Sequence, residues 1–203
     1  IAEMTSPDFN WADFGGASLA HILIQHGEVL STETRKQTEE ALRNAAAAIR
    51  KRDVGPGYTN IAVLGGGVCA AAGELFSDDE LLKYGRERLQ GVVEQTVRHG
   101  GFNEYNSPPY CKVVIAECER ILELIKDPET RTAAESIRTE AWQMIAGSLH
   151  QPTQQLAAPH SRSEAHSAPT LRLALRPCGG RMARSPSRLP EAPYATAPSL
   201  RPK

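Results

Sequence analysis

Residues 100–110 read Gly100-Gly101-Phe102-Asn103-Glu104-Tyr105-Asn106-Ser107-Pro108-Pro109-Tyr110, between two helical patterns. Glycine and proline interrupt regular structure, so this stretch is expected to be an irregular loop. A plain connector has no need of a carboxylate, amides and phenols. Held between rigid helices, such groups suit proton transfer and hydrogen-bonded recognition. The competing reading is a proline-capped helix start whose tyrosines pack and whose Glu104 bonds loop amides. Asn60, preceded by Tyr58 at the entry of another helical pattern, is a second candidate, with helix capping as its alternative. His160 and Arg162 form a cationic pair suited to binding a carboxylate or tuning a phenol.

Composition narrows the partners. The chain has 203 residues, with 23 basic against 24 acidic side chains. That length suits one domain, or one domain and a tail, and the balanced charge gives no footprint for nucleic acid or an anionic membrane. No window reaches about 18 uninterrupted apolar residues, so no membrane span is expected. Cys69, Cys111, Cys118 and Cys178 form no Cys-x-x-Cys pair or Cys/His cluster. The first three lie in apolar helical patterns and read as small core residues. No metal or cofactor motif stands out. The sequence opens on Ile1 without a leader pattern and reads as a fragment or processed product, so its compartment is undetermined.

The elements that must position these groups are helices. Residues 17–26 are apolar over most of the circumference, which predicts a buried helix closed by Gly27. From Ser31 or Thr32 to Arg52, Leu42, Ala45, Ala46 and Ile49 recur at helical spacing on one face, and charge covers the other. Residues 61–76 carry no charge before Glu74 and include Gly65-Gly66-Gly67. Helical glycine costs roughly 1 kcal/mol against alanine, so this run predicts close approach of another backbone or a ligand, or a break in the helix. Ser77-Asp78-Asp79-Glu80 reads as a capping box opening an amphipathic helix to about residue 99. Further helices follow over 111–126 and, from Asp127-Pro128, to about residue 150. No segment shows a convincing strand period.

The predicted class is therefore all-α, about three helical hairpins, in the first two of which a more apolar helix precedes a more polar one. An inner ring backed by an outer ring meets that pattern. It predicts part of an α/α toroid over residues 1–162, with an α-solenoid as the competing arrangement. Residues 163–203 hold 7 of the 14 prolines, 7 basic and 2 acidic residues, and no Val, Ile or Phe. Such a segment cannot build a core and is expected to be disordered. The abrupt change just after Arg162 suggests a reading-frame change or an artificial end.

Asn60, Ala72-Gly73-Glu74-Leu75-Phe76-Ser77-Asp78 and Gly101-Phe102-Asn103-Glu104-Tyr105-Asn106-Ser107-Pro108-Pro109-Tyr110 together resemble the helical domain of heparinase II/III-like polysaccharide lyases. The likeness runs from about residue 11 to 162. It departs from the family at Ile61, where a histidine commonly follows the asparagine, and in lacking the family's β-sandwich. The resemblance implies β-eliminative cleavage of an acidic, uronic-acid-containing polysaccharide without a metal or other cofactor, and a periplasmic or secreted setting. Asn60, Tyr110 and His160 would then be catalytic. Tyr58, Glu104, Tyr105, Asn106 and Arg162 would contact substrate. Asn60 would hydrogen-bond the uronate carboxylate, and the Tyr110 phenol would give or take the proton. The oligomeric state is open. Two other classes compete: a non-catalytic helical-repeat scaffold, which needs an exposed apolar groove, and a glycoside hydrolase, which needs paired carboxylates about 5–10 Å apart.

Overall fold

The computed structural model describes residues 8–104, 106–153 and 155–157. Within them run six α-helices: α1 (Trp11–His26), α2 (Thr32–Arg52), α3 (Thr59–Phe76), α4 (Asp79–His99), α5 (Pro108–Leu124) and α6 (Pro128–Ser148). Two-residue strands β1 (Leu149–His150) and β2 (Gln155–Leu156) pair antiparallel after α6. The predicted all-α class holds. The expectations for residues 163–203 lie outside the described residues.

Local chemistry sets the helix ends. Ser31, Asp78 and Asp127 accept the Thr34, Leu81 and Thr130 N–H groups as N-caps of α2, α4 and α6. The predicted capping box is therefore displaced by one residue. Ser77 sits instead in the left-handed region (φ 55°) as the C-cap of α3. Gly27 does not close α1 in the left-handed manner expected of it; its φ is −56°, and a 3-10 turn follows over Gly27–Val29.

Helix α3 is the centre of the molecule. Every residue from Thr59 to Gly73 is buried, and the glycine run leaves the helix unbroken because each glycine receives a different neighbour. A Cβ on Gly65 would meet Asp13 of α1 and Arg88 of α4, one on Gly66 would meet Leu89 and the Gly85 carbonyl of α4, and one on Gly67 would meet Ile121 and Glu117 of α5. By length and mean hydropathy (1.3) the helix matches a membrane span, though it is not an uninterrupted apolar run. Yet 83% of that window is buried by protein, as in a core helix.

The same contacts fix direction. Asp13 and Gly16 of α1 lie against Gly65 and Val68 in turn, so α1 runs parallel to α3. Gly67 packs on Glu117 and Ile121, while the Glu74 carboxylate near the end of α3 accepts the Lys126 and Asp127 N–H groups just past α5. Helix α5 is therefore parallel to α3 as well. Helix α4 runs back against α3, with Gly73 on Leu82 and Gly66 on Gly85. Helix α1 differs from the expectation of a wholly buried helix. It starts at Trp11, buries Asp13, Gly16, Ala17, Ala20 and Leu23, and leaves Trp11, Phe14 and Ile22 in solvent.

Two buried carboxyls make stability pH-dependent. Burial raises Asp13 to about 6, against the opposing pull of Arg88 and Arg52. It raises Glu117 to about 7, opposed by Arg120. Each group favours its protonated form in the fold. That contribution is complete below the ordinary carboxylate range and is lost as pH rises through about 6 and 7. The thermal midpoint should therefore fall between about pH 5 and about pH 8, by a loss on the order of 1–3 kcal/mol. Glu117→Gln should flatten the upper half of that decline. A midpoint that climbs over this range in the wild type would contradict the assignment.

Candidate active site

Because α3 and α5 are parallel and adjacent, their N-terminal ends open on the same side of the molecule. The segment from α4 into α5 passes there, with Glu104 reaching α3. Helix α3 begins without a side-chain cap at Tyr58, so its first N–H groups need outside acceptors. Glu104 supplies one: its Oε2 accepts the Asn60 N–H at 3.1 Å across 44 residues. A buried carboxylate at a helix N-terminus also complements the helix dipole. The Glu104 carboxylate thus bonds a backbone amide, one of the two roles open to it from sequence.

The rest of the loop is held as firmly. Asn103 lies on Gly57, where a Cβ would stand 2.9 Å from its side-chain nitrogen. Asn106 takes a left-handed φ of 48° and donates from Nδ2 to the Ala157 carbonyl. Ser107 is the N-cap residue of α5, yet its hydroxyl makes no capping bond. Pro108 and Pro109 follow at the first two helical positions and bring no N–H donors of their own. The α5 end therefore offers few backbone donors, and its side chains must do the recognising.

Buried polar atoms here lack a hydrogen-bond partner among the described residues. Asn60 is 2% exposed and Ser107 is fully buried; Asn60 Oδ1 and Ser107 Oγ make no hydrogen bond. Tyr110 sits in the first turn of α5, half-buried, and Tyr58 is half-buried at the entry of α3. Burial pushes the thiol pKa of Cys111, next to Tyr110, up, with the Glu104 charge adding to the rise and a backbone hydrogen bond at Ser107 opposing it.

Of the residues singled out in the sequence, Tyr58, Asn60, Glu104, Asn106 and Tyr110 belong to these two adjoining helix ends. Tyr105, His160 and Arg162 lie outside the described residues. Grooves of about 510 and 590 Å³ lie elsewhere, between α4 and α6, lined by Val93, Thr132, Ser136 and several glutamates. Among the described residues no His, Cys, Asp or Glu side chains cluster as metal ligands.

One charged network was not foreseen. Arg88 donates to the Ala62 carbonyl and the Tyr84 hydroxyl, and Tyr84 donates to Asp53. Arg52 bridges Asn10 and Asp13. Asp13 and the Arg88 guanidinium both face Gly65. The glycine run signalled that something approached α3 closely, but not that it was an ion network.

These features define an all-α protein of packed helical hairpins whose candidate site sits at the N-terminal ends of parallel helices. The chain belongs to the family described as a domain of unknown function (DUF8769), which matches residues 2–171. No curated protein and no solved structure matches it.

Proposed function

We propose that this domain cleaves an acidic, uronic-acid-containing polysaccharide by β-elimination at the joined ends of α3 and α5. One observation carries the reading: the Glu104 bond to the Asn60 N–H holds the first turn of α3 beside the loop that leads into Tyr110. The Asn60 amide donates to the uronate carboxylate and stabilises the enolate-like charge that develops there. Tyr110, as phenolate, takes the C5 proton. The C5–H electron pair forms the C4–C5 double bond as the C4–O bond breaks, and the phenol returns its proton to the departing oxygen. His160 and Arg162 assist as cations in this scheme. The hydrolase alternative needs two carboxylates at the site, whereas the Glu104 carboxylate accepts the Asn60 backbone N–H.

Incubation of the purified chain with uronate polymers tests the reading. The expected product carries an unsaturated, ultraviolet-absorbing non-reducing end. Saturated ends with new reducing sugar would indicate hydrolysis and overturn it.

A further inference from the structure

Helices α4 and α6 lie side by side and parallel. Arg86 of α4 pairs with Asp127 and Glu129 at the start of α6, and Gly101, just past α4, approaches Met144 near the end of α6. The grooves between them, of about 590 and 510 Å³, share Val93, Thr132 and Ser136 and so form one continuous channel. From Glu129 to Gln143 it runs about 20 Å along α6. Its floor is apolar, made by Val93, Val97, Ala133 and Ile137. Val97 is 79% exposed there.

The polar lining is one-sided. The Thr96, Thr132, Ser136 and Thr139 hydroxyls each donate to a carbonyl one turn back in their own helix, which leaves their oxygens as acceptors. Glu94, Glu129, Glu135 and Glu140 add carboxylates. Of these four only Glu129 is in an ion pair among the described residues, with Arg86. No Lys, Arg or His is among the described residues that line the groove, and only the Gln90 and Gln143 amides add donors. Such a surface repels a polyanion and calls for a cationic, donor-rich occupant.

We propose that this groove docks an amphipathic helix of another protein, with Lys or Arg along both flanks of an aliphatic stripe. The stripe lies on Val93, Val97 and Ala133, and the cations meet Glu94 on the α4 side and Glu135 and Glu140 on the α6 side. Ammonium and guanidinium groups also satisfy the hydroxyl oxygens, while the apolar floor separates such a helix from a bare polycation. The docking is independent of the chemistry proposed for α3 and α5.

Calorimetry on the full chain with three synthetic peptides tests it. The first is a helical peptide with a leucine stripe flanked by lysines; the second has glutamates for the lysines, and the third serines for the leucines. The first is expected to bind, and more weakly as salt rises. The second should not bind, and the third should bind about tenfold more weakly or worse. Glu94→Gln, Glu135→Gln and Glu140→Gln combined should weaken the first peptide by about tenfold or more with the thermal midpoint nearly unchanged, since none of the three is in an ion pair among the described residues. Failure of the first peptide to bind overturns the proposal. So does equal binding of the glutamate or serine peptide, or an affinity that survives the triple substitution.

Discussion

Replacing Gly85 by alanine is expected to destabilise the domain by about 3 kcal/mol or more, lowering the thermal midpoint by roughly 6–12 °C. The added Cβ would stand 2.5 Å from the Ala70 nitrogen and 2.6 Å from the Gly66 carbonyl oxygen. Both are backbone atoms of α3, so no side chain can turn aside and the helices must separate. Gly73 meets the same limit from the other side, with its Cβ 2.4 Å from the Leu82 nitrogen. Gly91→Ala is the control, because its nearest neighbour is Pro56 at 4.0 Å. It should be neutral or gain up to about 1 kcal/mol from helix propensity. Equal melting of the Gly85 and Gly91 variants would mean that α3 and α4 do not meet through Gly85.

The contrast between those glycines shows where sequence reasoning stops. Residues 61–76 announce a buried helix by having no charge before Glu74, and the amphipathic stripes of α2 and α4 fix their extents closely. Gly65, Gly66 and Gly67 reveal that α3 is approached closely. They cannot say by what, because the partners come from α1, α2, α4 and α5, and sequence periodicity speaks only about one helix at a time. The same limit hid the Asp13, Arg52 and Arg88 network, whose members are ordinary surface types in their own windows. Helix α1 misled for another reason. Apolarity around a helix implies burial only when partners surround it, and Trp11, Phe14 and Ile22 face solvent within this chain. At the candidate site, the loop and the two helix entries were legible from glycine and proline punctuation. The Glu104 bond to Asn60 was not, because it joins residues 44 positions apart.

Tyr110→Phe is expected to abolish eliminative turnover, by on the order of 10²–10⁴-fold or more, while leaving substrate binding nearly unchanged. The substitution removes one oxygen and keeps the ring that packs in the first turn of α5, so the fold should persist. Loss of the proton carrier acts on the chemical step alone and should appear in kcat rather than in KM. Asn60→Ala differs in kind. In the proposed mechanism that amide donates to the substrate carboxylate before and during reaction, so both binding and turnover should fall.

The most direct test compares wild type and Tyr110→Phe on one uronate oligosaccharide whose binding to each has been measured by calorimetry. The account predicts equal affinity, an unsaturated ultraviolet-absorbing product from the wild type, and none from the variant over the same time. Full production of that unsaturated end by Tyr110→Phe would contradict it.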